Sequence, residues 1–121
     1  MEINRMLRAL KPFIPSGPNF ARAKAFFQDL GFEIKWEAPG LAELSFGGAA
    51  FLLQDFHNKE MQENLMMFVS VDDLDEWWER IQASNVLERY SEVRAKEPTL
   101  FPWGQREVHL IDPAGVCWHF A

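Results

Sequence analysis

The side chains best suited to metal or nucleophilic chemistry are few in this sequence: three histidines, His57, His109 and His119, and one cysteine, Cys117. Cys117 lies in an apolar run with no charge pattern that would lower its pKa, so it reads as a buried structural thiol. Being alone, it can form no intramolecular disulfide, which fits a reducing compartment. His57 falls in a polar stretch and reads as a solvated side chain. His109 sits between Val108 and Leu110, where a strand can point it to solvent. No acid–base pair can be placed by spacing. Gly47-Gly48 lacks a following Lys-Ser/Thr and reads as a hairpin turn, not as a phosphate-binding loop. The residues therefore predict no catalytic side chain and no cofactor.

The aromatic side chains offer a different chemistry. Eleven Phe, five Trp and one Tyr make up 14% of the 121 residues, and most of them must be core. Tryptophan is favoured at binding surfaces for its flat area and N–H donor. Trp103 is the best placed, in a loop flanked by Pro102 and Gly104 where a large ring has no evident core duty. Trp36 alternates with charged neighbours and reads as inward-facing, equally compatible with core and with cavity lining. Phe68 lies in an apolar run where plain core is the simpler reading. Trp77 and Trp78 have helical core spacing and read as packing residues.

The formal net charge of −6 opposes phosphate-backbone binding, so nucleic acid is not an expected partner. No apolar run approaches the ~18 residues of a membrane span. Met1 to Leu10 carries Glu2, Arg5 and Arg8 and lacks the apolar stretch of a signal peptide. The expectation is a soluble, cytoplasmic protein with one domain over residues 1–121.

The elements that must position these residues come in a repeating order. Leu7–Ile14 reads as a strand, with Pro12 where no ladder bond is needed. Ser16-Gly17-Pro18-Asn19 turns into a helix over Phe20–Leu30, with Phe20, Ala23, Phe27 and Leu30 on one face and Gly31 as its stop. Phe32, Ile34 and Trp36 mark a half-buried strand. Leu41–Phe46 and Ala49–Phe56 are two more, joined at Gly47-Gly48. His57–Asn64 reads as a loop. The pattern then restarts: a strand over Leu65–Val71, and a helix opened by Asp73 with Leu74, Trp77, Trp78 and Ile81 on its apolar face. A strand near Arg89–Ala95 follows, then a loop over Pro98–Gln105. The last strands are Arg106–Ile111 and Val116–Phe120, joined by the tight turn Asp112-Pro113-Ala114-Gly115. The predicted class is α+β, with two βαβββ units over about 6–56 and 65–121, each forming a curved mixed sheet.

Two such units in one short chain, with Ala25-Phe26-Phe27-Gln28-Asp29-Leu30-Gly31-Phe32, Val71-Asp72-Asp73-Leu74-Asp75 and Asp112-Pro113-Ala114-Gly115 in order, resemble the glyoxalase/bleomycin-resistance/dioxygenase superfamily, the vicinal oxygen chelate fold. Pro102-Trp103-Gly104, Arg106-Glu107 and the run Asp112 to Phe120 resemble most closely the end of its antibiotic-binding, bleomycin-resistance branch. The resemblance implies a homodimer that exchanges the amino-terminal strand and holds a drug in two grooves between subunits. It places the divalent metal positions of the superfamily's enzymes at Pro12, Leu52, Met66 and His119. Pro and Leu are not ligands, and Met is a poor one for Mg, Mn, Fe or Zn, so no metal site is expected. It places groove-lining positions at Trp36, Gln54, Phe68, Trp103 and Gly115. His119 can donate to a ligand from the old metal position or be an internally satisfied histidine. The chain departs from the drug binders at Lys35, where they tend to carry an acid, and at Leu41, where they carry an aromatic. The resulting reading is a metal-free binding protein that sequesters an aromatic or cationic, bleomycin-like molecule. The alternatives are a metal-dependent lyase or dioxygenase with a degenerate site, and an interaction module with a collapsed groove.

Overall fold

The computed structural model describes residues 6–121, and the expectation resting on Glu2 and Arg5 lies outside the described residues. The chain order is β1 (Phe13–Pro15), α1 (Phe20–Leu30), β2 (Glu33–Ala38), β3 (Leu41–Phe46), β4 (Ala49–Gln54), α2 (Lys59–Glu63), β5 (Met66–Val69), α3 (Leu74–Ala83), α4 (Val86–Arg89), β6 (Arg94–Leu100), β7 (Arg106–Ile111) and β8 (Cys117–Phe120). The strands form two four-stranded sheets, in the orders β1-β4-β3-β2 and β5-β8-β7-β6. In each, the first strand of the unit pairs parallel with the last and the other pairings are antiparallel. This is the α+β architecture of two βαβββ units that the element order predicts.

Alternation along the strands decides which face of each sheet is covered. Ala42 and Leu44 of β3, Phe51 and Leu53 of β4, Val108 and Leu110 of β7, and Trp118 and Phe120 of β8 are buried. Their neighbours in sequence point to the other, open face. Helix α1 supplies the buried faces with Ala23, Phe26, Phe27 and Leu30. Phe27 is central, touching Phe51 of the first sheet (centroids 4.9 Å apart) and Trp118 of the second (5.5 Å), so one core serves both units. Trp77 of α3 bridges the sheets similarly, between Phe46 (5.4 Å) and Phe120 (5.0 Å), as its helical spacing predicts. A fully buried Phe contributes about 1.5–3 kcal/mol through the area removed from water. Asn19 caps α1 by accepting from the Arg22 N–H at 3.0 Å.

Four local expectations are corrected. The first strand covers only Phe13–Pro15, and residues 6–12 have no strand structure. The expected loop at His57–Asn64 contains α2, one turn capped by Asn58 and anchored by the buried Gln62. Its one buried side chain is polar, so hydrophobic periodicity could not announce it. The strand expected at Arg89–Ala95 begins at Arg94 and runs to Leu100, because α4 occupies Val86–Arg89 with Val86 and Tyr90 buried. Pro98 is accommodated inside β6 by a register shift between Lys96 and Thr99 that removes the need for its N–H.

Candidate functional site

The open face of the second sheet carries the densest polar cluster. β7 and β8 pair His109 with His119 and Ile111 with Cys117. With Val108, Leu110, Trp118 and Phe120 committed to the core, the same alternation turns Glu107, His109, Cys117 and His119 to the open side. The two imidazoles lie with ring centroids 4.0 Å apart. Glu107, only 3% exposed, binds them together: its Oε1 lies 2.8 Å from His109 Nε2 and 3.1 Å from His119 Nδ1. Its Oε2 accepts the Trp103 indole N–H at 2.8 Å. Burial raises the Glu107 pKa, but the bonds from His109, Trp103 and His119 outweigh it and hold the carboxyl below its usual range. An ionised carboxylate only accepts, so the hydrogen-bond network assigns the protons to His109 Nε2 and His119 Nδ1.

The bond from Glu107 also orients Trp103, which is 62% exposed. Phe101 fills the space between it and the sheet, stacked on Trp103 at 4.8 Å and 10° and on His109 at 4.4 Å and 13°. Trp103, Phe101 and His109 are thus a column of near-parallel rings standing on the strand, with the exposed indole at its end. On the other side of β8, Phe68 and Met66 of β5 pair with His119 and Cys117. Phe68 is 57% exposed, so the plain-core reading of this residue is corrected: it belongs to the open face.

Cys117 is likewise on the open face, half-buried, and not in the core as its apolar neighbours imply. Burial, then the Asp112 and Glu107 carboxylates, push its thiol up, which keeps it protonated and a poor free nucleophile. His109 does not point freely to solvent but is part-buried on Glu107. His57 is exposed, as its polar surroundings predict.

The first sheet carries a smaller counterpart. Trp36 donates its indole N–H to Glu43 Oε1 at 2.8 Å, and Lys11 reaches Glu43 Oε2 at 3.0 Å. Bonds from Lys11 and from Trp36 hold the Glu43 carboxyl below its usual range. Alternation from Ile34 points Trp36 inward, yet it is 44% exposed. The reason is a bulge: the register jumps between Ile34, opposite Leu44, and Trp36, opposite Glu43. The extra residue, Lys35, moves Trp36 to the open face. Gln54 ends β4 on that face too, exposed and opposite Leu41. Gly115 stands apart, in the left-handed turn (φ +98°) that closes β7 onto β8, beside a cleft lined by Pro18, His57, Gln62, Arg94 and Asp112.

Of the six expected binding residues, Trp103, Phe68 and His119 thus share one face. Trp36 and Gln54 share the other sheet's face. No hydrogen bond, ion pair or ring contact among the described residues joins the two groups. Glu107 and Phe101, which hold the first group together, were missed by reasoning from sequence. The signal was available for Glu107: its period-two spacing with His109 puts both opposite the Val108–Leu110 core side. The positions that the superfamily's enzymes use for a divalent ion do not fit one here. Pro12 precedes β1, Leu52 and Met66 bring no hard donor, and His119 is left alone among them.

Structural comparison finds this fold in several proteins of known structure. A bleomycin-binding protein solved with bleomycin aligns with a TM-score of 0.81 at 24% identity, over 94% of this chain and 97% of that one. A bleomycin resistance determinant encoded on transposon Tn5 aligns at 0.78 and 24% identity, over 94% and 96%. The bleomycin-binding protein of bleomycin-producing Streptomyces verticillus, solved with copper(II)-bleomycin, aligns at 0.75 and 22% identity, over 96% and 98%. No curated protein matches the sequence. The family model of the Glyoxalase/Bleomycin resistance protein/Dioxygenase superfamily matches residues 16–120, and with two βαβββ units of identical strand order the chain belongs to that superfamily.

Proposed function

We propose that the protein binds and sequesters a flat aromatic or cationic small molecule, of the kind bleomycin represents, in a groove at a homodimer interface. The observation that carries this is the exposed end of the Trp103–Phe101–His109 ring column, held rigid by Glu107. A ring fixed in this way loses little side-chain entropy when a ligand stacks on it. A cationic ligand gains a further ~0.5–2 kcal/mol over a good aromatic face. Phe68 and His119 extend the same wall, with Gly115 at the turn beyond it. Trp36 and Gln54 line the wall that the first sheet presents. Among the described residues no hydrogen bond, ion pair or ring contact joins the two open faces, and in this reading a partner subunit supplies the opposite wall of each groove. Ligand is held by shape and stacking, without bond making and without the divalent ion of the superfamily's enzymes.

Calorimetric titration of metal-stripped protein with bleomycin tests the proposal. Saturation near one drug per subunit, with quenching of tryptophan fluorescence, is the expected result. Trp103→Ala, with its circular dichroism unchanged, should bind at least tenfold more weakly, a loss of about 1.4 kcal/mol or more. Absence of both heat and quenching with the folded wild-type protein would sink the bleomycin-like reading.

A further inference from the structure

His109, Cys117 and His119 each present one ligand atom, and these atoms lie within 4.8 Å of one another on the open face of β7 and β8. The proximity follows from the register, which sets the two histidines opposite each other and Cys117 two pairs further along, on the same face. Glu107 backs both imidazoles. Its contacts with His109 Nε2 and His119 Nδ1 leave His109 Nδ1 and His119 Nε2 as the nitrogens without that partner. A carboxylate behind an imidazole fixes its tautomer and orientation and raises its basicity, the outer-shell arrangement of metal-ligating histidines. A tetrahedral ion with M–N near 2.0–2.1 Å and M–S near 2.3 Å holds its donors about 3.3–3.7 Å apart. The cluster must contract by up to about 1 Å to reach that spacing.

We propose that His109, Cys117 and His119 bind one transition-metal ion of the zinc and copper class, oriented by Glu107. The donors are two imidazoles and a thiolate, which favour borderline and soft ions over Mg, Ca or Mn. Met66 pairs with Cys117 across β5 and β8 and brings a thioether to the same face, a donor that copper accepts and zinc does not favour. Binding converts Cys117 Sγ–H to a thiolate and releases one proton to solvent per ion. His119, and Met66 where a soft ion recruits it, are shared with the positions that the superfamily's enzymes use, whereas His109 draws on β7, which those positions do not, and Cys117 is at none of them. The proposal does not depend on the drug-binding reading, since a metal titration needs no organic ligand.

The test is titration of tag-free, chelator-stripped, reduced protein with Co(II), followed by displacement with Zn(II) and with Cu(I). Saturation at one equivalent with an intense near-ultraviolet sulfur-to-cobalt band is expected. Cys117→Ser should abolish that band, and His109→Ala and His119→Ala should each weaken binding at least tenfold, all with native circular dichroism. Glu107→Gln should weaken binding while leaving the band in place, since it removes an orienting group and not a ligand. Displacement favouring Cu(I) and weakened by Met66→Leu identifies copper; displacement favouring Zn(II) identifies zinc, and both support the site. A spectrum identical to that of aqueous cobalt, or a sulfur band that persists in Cys117→Ser, overturns it.

Discussion

Both oxygens of Asp112 are bonded inside the protein. Oδ1 accepts from the N–H groups of Ala114 (2.8 Å) and Val116 (3.1 Å), and Oδ2 accepts the Trp118 indole N–H at 2.9 Å. Asp112 is what shapes the turn between β7 and β8, and so it sets the register that brings His109 to His119. Burial pushes its carboxyl up to about 6 in spite of these bonds. The folded state therefore holds this proton to a higher pH than the unfolded chain does. The stability that this provides is complete below about pH 4, is lost as pH rises to about 6, and changes no further above that. Urea denaturation of the wild type should accordingly lose about 3 kcal/mol across that window relative to Asp112→Asn, which keeps the Oδ1 acceptor but cannot titrate. A difference between the two proteins that stays flat from pH 4 to 6.5 would show that the carboxyl does not titrate there.

At the scale of elements, the end of α1 is the tightest junction. The Gly31 N–H reaches the carbonyls of Phe27 and Gln28, and the Phe32 N–H reaches Phe27 again, closing the helix at φ +121°. A Cβ on Gly31 would meet the Phe46 ring and the Arg80 guanidinium, each at 2.7 Å. Gly31→Ala combines left-handed strain with overpacking and should cost about 2–4 kcal/mol, read as a lower urea midpoint at unchanged slope. This helix was legible because its apolar spacing, its cap and its stop all lie in neighbouring residues. The bulges in β2 and β6 were not. They place Trp36 and Thr99 by one extra residue each, whose effect is on pairing with another strand. In the same way α2 is held by Gln62, whose amide donates to the Ala114 carbonyl at 2.9 Å, a contact from 52 positions away.

At the scale of the whole molecule, residues 6–12 form no strand, and Met6, Leu7 and Leu10 are all exposed. An apolar arm and two separate open faces are what an exchanged, two-fold dimer would cover. Sedimentation at micromolar concentration should give a dimer, and Leu7→Ser with Leu10→Ser should shift it toward monomer and weaken ligand binding in parallel. A wild-type monomer under those conditions would remove the shared groove from the proposal. No helix of the described residues is long and apolar enough to cross a membrane.

The sequence by itself determined the class of fold, the order of the two units and the apolar faces of the two long helices, α1 and α3. Those properties are written in periods of two and 3.6 between near neighbours, and the paired units carry them twice. It also singled out Trp103, whose Pro- and Gly-flanked loop left the ring no core to enter. Only the tertiary structure decided what that ring stands on. Glu107, His109, Cys117 and His119 become one cluster through the β7–β8 register, which pairs residues of two strands and is fixed only when the turn closes and both strands enter the shared core. The same holds for Phe101 between Trp103 and His109, and for Trp36, which a single bulged residue carries from the covered face to the open one.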